Sequence, residues 1–343
     1  MRYGFAGVCA LVLFATSAAA QTGDPFYHGR QITMLVASGA GGGYDTYARI
    51  FARHAANYIE GAPVFLPKNM PAAGGLQAAS ILYNQSDRDG STIAALTNGV
   101  AMDPLFGNTA ARFDAREFGW LGSIGKLQNV CATWHESPVK TFAQARDREV
   151  IVAGAGATSN TAIMPRVANA LLGTKFKIIA GYDPNAGLNK ALEGGEVEGI
   201  CGLGWSTLTS SRPDWIRDHK LNVLVQFGME KLPDLPDTPN ARDLLSDPHK
   251  KGVLELILIR QEMGRPFAAP PGVPAARLAI LRRAFEQTMK DKDFLAEAQR
   301  MQMDVDPLTG PQIDDLLTFA YKQPKALVDD AAQLVMPAGE TRQ

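Results

Sequence analysis

Cysteine is scarce in this chain: three in 343 residues, with no Cys-x-x-Cys pair and no Cys/His cluster. The five histidines, at positions 28, 54, 135, 219 and 249, are scattered, which argues against a zinc site and its closely spaced ligands. Net charge is lacking as well. The 34 Lys and Arg residues face 35 Asp and Glu, not the basic balance of a nucleic-acid binder or a polybasic membrane-surface protein. Beyond the N-terminus no long apolar run occurs. The run 254–259 includes Glu255 and falls far short of the roughly 20 residues a membrane span needs. No internal repeat or low-complexity tract is visible. What remains is an ordinary globular composition, 46% hydrophobic and 20% charged, long enough for about two domains.

Residues 1–20 read as a signal peptide. Arg2 gives a small positive start, residues 8–15 form a short apolar core, and Ala18 and Ala20 are the small residues a signal peptidase reads. Cleavage is expected after Ala20, with export to the periplasm. Cys9 lies inside the apolar core, too early for a lipoprotein cysteine. A membrane anchor is the competing reading. Export puts Cys131 and Cys201 in an oxidising compartment, where a disulfide closing a loop of about 70 residues is possible. Two buried thiols that never meet are the alternative, because sequence carries no Cα distance.

Strands and helices alternate. Residues 32–37 form a short apolar run bounded by glycines, which predicts a buried strand. A helix over 45–60 follows, with Tyr47, Ile50, Phe51, Tyr58 and Ile59 at helical spacing and Gly61 as its stop. Further strands are expected at 64–66, 92–96, 130–134, 150–153, 177–181 and 197–202, with helices between. This repetition predicts a largely parallel sheet with right-handed crossovers. The C-terminal third differs: a Pro/Gly turn at 270–274 opens a helix burying Leu278, Leu281, Phe285 and Met289, and a second helix follows Pro311.

The loop Ser38-Gly39-Ala40-Gly41-Gly42-Gly43-Tyr44-Asp45 carries the main chemical signal. Glycine lets the backbone approach a ligand, and the following helix start offers unpaired N–H groups with partial positive charge. Together they make an anion site that needs no Lys or Arg. The G-x-G-x-x-G pattern fails, since the last position is Tyr44 or Thr46. No Gly-Lys-Ser/Thr follows, and no G-x-S-x-G elbow is present. A carboxylate is then the most economical anion; a turn that binds nothing is the plain alternative. Residues 68–75 and 154–160 form two more loops after strands, where open α/β sheets bind ligands.

From Phe26 to Gly107 the chain resembles the periplasmic solute receptors of tripartite tricarboxylate transporters, the Bug-type receptors. The resembling pieces are Gln31-Ile32-Thr33 leading into Gly41-Gly42-Gly43-Tyr44-Asp45, then Ala48-Arg49, Asn69-Met70-Pro71-Ala72-Ala73-Gly74-Gly75 and Asp89-Gly90. Later matches are Ser137-Pro138-Val139-Lys140-Thr141, Gly156-Ala157-Thr158-Ser159, Gly195-Glu196-Val197-Glu198, Leu235-Pro236-Asp237-Thr238-Pro239 and Ala269-Pro270-Pro271-Gly272-Val273-Pro274. The ordered set spans nearly all of the chain after residue 20. The resemblance implies an α/β two-lobe Venus-flytrap fold, type II-like, with two interlobe crossings. Lobe one would be 21–129 plus 227–343, and lobe two 130–226. It also implies that Gly41, Gly42, Gly43, Tyr44, Asp45, Ala73 and Gly74 contact a ligand carboxylate, with Thr158, Ser159 and Asn160 closing from lobe two.

Three features depart from the usual family pattern. Ser38-Gly39-Ala40 precedes the triple glycine, Tyr44 stands where a small residue is common, and Gly204-Trp205-Ser206 follows a lobe-two strand. Trp205 could floor an apolar or aromatic ligand, although core packing is the simpler reading. Asp183 could bind a cation or amine, although a solvated turn is simpler. The function implied is capture of a small organic carboxylate and delivery to the membrane subunits of a tripartite transporter, by a monomer without cofactor or metal. A ligand-sensing subunit is the alternative. An exported enzyme is the remote one, since His135-Glu136 is the sole tempting pair and strand neighbours point to opposite faces.

Overall fold

The computed structural model describes residues 25–183 and 186–336. The signal-peptide reading and cleavage after Ala20 lie outside them. Short apolar runs make most of the strands, and amphipathic segments make most of the helices between them. In chain order these are β1 (Gln31–Val36), α1 (Gly43–Ala55), β2 (Val64–Asn69), α2 (Leu76–Asn84), β3 (Thr92–Ala95), β4 (Gly119–Ser123) and β5 (Asn129–Trp134). Then come α3 (Phe142–Asp147), β6 (Val150–Gly154), α4 (Asn160–Val167), β7 (Phe176–Ala180), α5 (Gly187–Glu193), β8 (Gly199–Gly204), α6 (Trp205–Ser211), α7 (Pro213–Arg217) and β9 (Leu221–Phe227). The chain ends with α8 (Pro248–Glu262), β10 (Pro266–Ala269), α9 (Ala275–Thr288), α10 (Lys292–Arg300), β11 (Leu308–Thr309), α11 (Gly310–Tyr321) and α12 (Lys325–Val335).

Two sheets organise these elements into a two-lobe α/β fold. One has the order β11-β4-β10-β3-β1-β2, the other β7-β6-β8-β5-β9. Both are mixed, which corrects the expectation of a largely parallel sheet. In the first, β10 runs antiparallel to β3 and β4. In the second, β5 runs antiparallel to β8 and β9. The reason is topological: β5 and β10 are the strands on which the chain enters a sheet after leaving the other one, so neither follows a right-handed crossover.

Helix α1 shows how sequence sets packing. Gly42 caps it in extended conformation, Asp45 sits in its first turn, and Arg53 and His54 sit in its last, matching the helix dipole. Its buried stripe of Tyr47, Ile50 and Phe51 faces the first sheet. There Phe51 packs against Phe65, Phe267 and Phe285, with ring centroids 4.6–6.1 Å apart. Helix α8 is buried over most of its circumference, from Val253 to Gln261. It shares one apolar cluster with Leu96 and Trp120 near the first sheet and Ile163 and Val225 near the second. It therefore packs against both lobes. Cys131 and Cys201 stand opposite each other on β5 and β8 and are joined as a disulfide. No described helix is long and apolar enough to cross a membrane.

Candidate functional site

Strands β1, β2 and β3 are parallel neighbours, so the loops after them share one edge of lobe one. A clasp fixes the first loop. Buried Asp45 accepts hydrogen bonds from Gly41 N–H (2.9 Å), Arg49 Nε (2.9 Å) and Asn69 Nδ2 (2.8 Å). Asn69 Nδ2 also donates to the Ser38 carbonyl (2.9 Å), and Arg49 Nη2 donates to Asn69 Oδ1 (2.9 Å). Burial pushes the Asp45 carboxyl up, but Arg49, the Gly41 amide and Asn69 together hold it below the ordinary carboxylate range. Gly42 N–H turns back to the Gly39 carbonyl (3.4 Å). The first helical bond runs from Thr46 N–H to the Gly42 carbonyl (2.9 Å), so the amides of Gly43, Tyr44 and Asp45 are the orphan donors of the first turn. Within the predicted set, Gly41 is thus a structural donor. Asp45 can offer a ligand its amide only, because its carboxylate is already engaged.

The second loop is wound left-handed: Ala73, Gly74 and Gly75 have φ of 52°, 65° and 99°. Gly75 is required twice over, since a Cβ there would lie 2.9 Å from Ala37 Cβ. The third loop ties the other two together. Thr97 Oγ1 donates to the Gly74 carbonyl (3.0 Å), and Asn98 N–H donates to the Tyr44 hydroxyl (3.1 Å). The predicted lobe-one residues therefore gather at one edge, stitched by Asn69, Thr97 and Asn98.

In lobe two, β6 and β8 are parallel, so the loop before α4 and the start of α6 share an edge. Ser159 occupies the cap position of α4 without a side-chain cap bond. Its hydroxyl lies 3.0 Å from Thr161 Oγ1, which accepts from Ala155 N–H (3.0 Å). Thr158 is exposed and Asn160 half-buried. Gly202, at φ 90°, has no Cβ because one would collide with the Asn160 carbonyl, so the start of α4 lies directly on β8. Trp205 corrects the ligand-floor reading. It is buried in a lobe-two core with Leu208 and Trp215, and its Nε1 donates to Asp234 Oδ2 (2.9 Å).

Four residues that the sequence reading passed over lie beside these loops: Asn98, Thr207, Arg260 and Arg265. Arg265 Nη2 donates to Thr207 Oγ1 of α6 (3.2 Å). A Cβ on Gly43 would lie 3.6 Å from that same Nη2. The glycine loop of lobe one and helix α6 of lobe two thus meet across one guanidinium. Arg265 also lies over the rings of Tyr44 (4.6 Å) and Tyr47 (4.8 Å), a cation–π arrangement. Arg260, near the end of α8, lies so close to Gly99 that a Cβ there would collide with its Nη2. Burial pushes Arg260 down, against Asp103 and Tyr44; burial also pushes Asp103 up to about 6. The available signal was a charge set directly after the apolar run 254–259, where a core position is due.

Other features lie elsewhere. A hollow of about 280 Å³ lined by Gly119, Leu278, Arg282 and Asp314 shares none of these residues. Among the described residues no group of three His, Cys, Asp or Glu is placed to hold a metal ion.

Comparison with known proteins places this fold among periplasmic binding proteins. No family model matches the chain. Over 314 residues it is 27% identical to the UPF0065 protein in the TAR-I ttuE–ttuC′ intergenic region of Agrobacterium vitis, spanning 80% of this chain and 83% of that one. It is similar to a TctC solute binding protein from Polaromonas, with a TM-score of 0.68 and 18% identity, covering 89% of this chain and 98% of that one. It is also similar to MatC from Rhodopseudomonas palustris, solved with bound malate, with a TM-score of 0.65 and 19% identity over 88% and 99% of the two chains. The two-lobe fold implied by the sequence motifs is thereby borne out, and the chain is similar in sequence to one UPF0065 protein.

Proposed function

We propose that the chain is a periplasmic receptor that captures a small organic carboxylate between its lobes and delivers it to the membrane subunits of a tripartite-type transporter. Lobe one is taken as 21–129 plus 227–343 and lobe two as 130–226, acting as a monomer. One observation carries the reading: the glycine loop, with its unpaired first-turn amides, lies beside Arg265, which donates to Thr207 at the helix start of the opposite lobe. The amides of Gly43, Tyr44 and Asp45 and the hydroxyl-bearing segment Thr158-Ser159-Asn160 would grip the anion. A ligand touching both edges binds the closed arrangement better than an open one, which is the requirement for it to drive closure. Malate in MatC, a protein of the same fold, is consistent with that class. The test is calorimetry of the ligand-free protein against mono-, di-, tri- and aromatic carboxylates. Micromolar binding of at least one is expected; no binding across the panel sinks the reading. Mass spectrometry of solute released on denaturation names the natural ligand.

A further inference from the structure

One guanidinium joins the ligand loop of lobe two to the last helix of the chain. Arg166 is half-buried near the end of α4. Its Nη2 donates back to the Ala157 carbonyl (2.6 Å), in the loop before the helix. The same group donates outward to the end of α12: Nε to the Leu334 carbonyl (3.1 Å) and Nη2 to the Val335 carbonyl (3.3 Å). The last carbonyls of a helix have no partner within it and carry the negative end of its dipole, so a forked cation suits them twice over. Helix α12 lies in the segment taken as lobe one, yet it packs on α4 and α8. Its Ala331 and Val335 are buried in one apolar cluster with Ile163 and Val167 of α4 and Leu254 of α8. Gly252 of α8 makes room for it, since a Cβ there would lie 2.7 Å from Leu327 Cδ1. Packing thus seats the C-terminal helix on α4, and Arg166 carries that seat through to the loop.

The tip of that loop is otherwise shaped by a local turn. Gly156 is exposed, and a Cβ on it would meet nothing within 4 Å. Ser159 N–H turns back on the Gly156 carbonyl (2.9 Å), and Ala155 N–H donates to Thr161 Oγ1 (3.0 Å). These bonds give the turn its form without tying its tip to a distant element. The Ala157 bond supplies that tie. It falls directly before Thr158, Ser159 and Asn160, the segment proposed to close on the anion. We infer that Arg166 is a positioning residue for ligand capture. It couples the seating of α12 to the geometry of 157–160, so the C-terminal helix sets affinity without touching the ligand. This rests on the carboxylate reading above and adds a control point at the far end of the chain.

The experiment measures Kd on the full chain for the tightest binder among acetate, malate, adipate, citrate and benzoate, with backbone hydrogen exchange on the ligand-free protein. Arg166→Met should raise that Kd about tenfold and speed exchange of the Ser159 amide. Arg166→Lys keeps a charge near the end of α12 but has no fork to span both sides. It should hold the melting temperature closer to wild type while leaving Kd raised. The decisive variant is Val335→Ala, which opens a gap under α12. In the wild-type background it should raise Kd at least about threefold, and in the Arg166→Met background by less than about 1.5-fold. A merely structural arginine gives a lower melting temperature with Kd unchanged, or equal effects of Val335→Ala in both backgrounds. Either result overturns the inference and leaves carboxylate capture standing. If no acid binds the wild type, the carboxylate reading falls, and exchange alone decides the coupling. Val335→Ala must then speed the Ser159 amide in the wild-type background and leave it unchanged in Arg166→Met; any other pattern overturns the coupling.

Discussion

Replacing Asp45 with Asn tests whether the glycine loop is held in place or merely flexible. The carboxylate is 3% exposed and accepts from three donors: the Gly41 amide, Arg49 Nε and Asn69 Nδ2. Their worth is unequal. Arg49 is 42% exposed on its side chain, so its ion pair contributes about 0.5 kcal/mol. The Gly41 and Asn69 bonds run to a charged acceptor in a buried place, where each contributes roughly 1.5 kcal/mol or more. Asparagine keeps one neutral acceptor and sets its own N–H₂ against a donor. Asp45→Asn should then cost about 2–3 kcal/mol at pH 7.

The pH dependence gives a second, independent reading. The folded carboxyl lies below its ordinary value of 3.8. A depressed folded value means the stabilisation is fully present above the unfolded value and is lost as pH falls through the folded one. Urea unfolding of wild type and variant, from pH 7 to pH 3, should show a gap that holds at neutral pH and shrinks below 3.8. Hydrogen exchange at Gly41 should speed up in the variant. A gap below about 0.5 kcal/mol at pH 7, within the range of an ordinary surface change, or a gap that ignores pH, refutes the clasp.

Three further outcomes follow from single features. Changing both Cys131 and Cys201 to Ser opens a loop with a sequence separation of 70, and the chain-entropy model gives a loss of about 4 kcal/mol in denaturant titration; an unchanged midpoint contradicts it. Gly202→Ala places a methyl against the Asn160 carbonyl at φ 90° and should cost at least about 2 kcal/mol while weakening lobe-two closure, read as a lower melting point and a higher Kd. Asp103→Asn should stabilise the protein near neutral pH by up to about 3 kcal/mol, from a carboxyl raised from 3.8 to about 6. A raised carboxyl stabilises below its unfolded value and loses that contribution as pH climbs through the folded one, so the difference between variant and wild type should fade on acidification to pH 4.

Most of the strand framework was legible because a short apolar run between glycines has few other uses. The expected strands at 32–37, 92–96, 130–134 and 150–153 match β1, β3, β5 and β6 within one residue at either end. Elements with weak local signals escaped. Strand β4 reads Gly-Trp-Leu-Gly-Ser, and its Gly122 exists because a Cβ would collide with the Phe285 ring, a requirement set from more than 150 residues away. Helix α8 escaped for the opposite reason. It is apolar on nearly every side because it is buried on nearly every side, so it carries no amphipathic period to read. Helix α4 stops at Val167, and a wider turn takes over at 168–172.

The site divides along the same line. Its main-chain half was readable, because glycines between a strand and a helix announce free amides in the local sequence alone. Its charged half was not, because what distinguishes Arg260 and Arg265 is the company they keep. Tyr44, Gly99 and Thr207 reach them from distant parts of the chain, and only the fold shows that, among the described residues, no carboxylate is hydrogen-bonded to either. A buried arginine with a partner is a structural strut, and the same arginine without one is a net cost to stability. The two cases look identical in sequence and have opposite consequences for stability when the charge is removed. For that reason the sign of the melting-point change in Arg260→Met separates an uncompensated buried charge from an arginine that holds α8 in place.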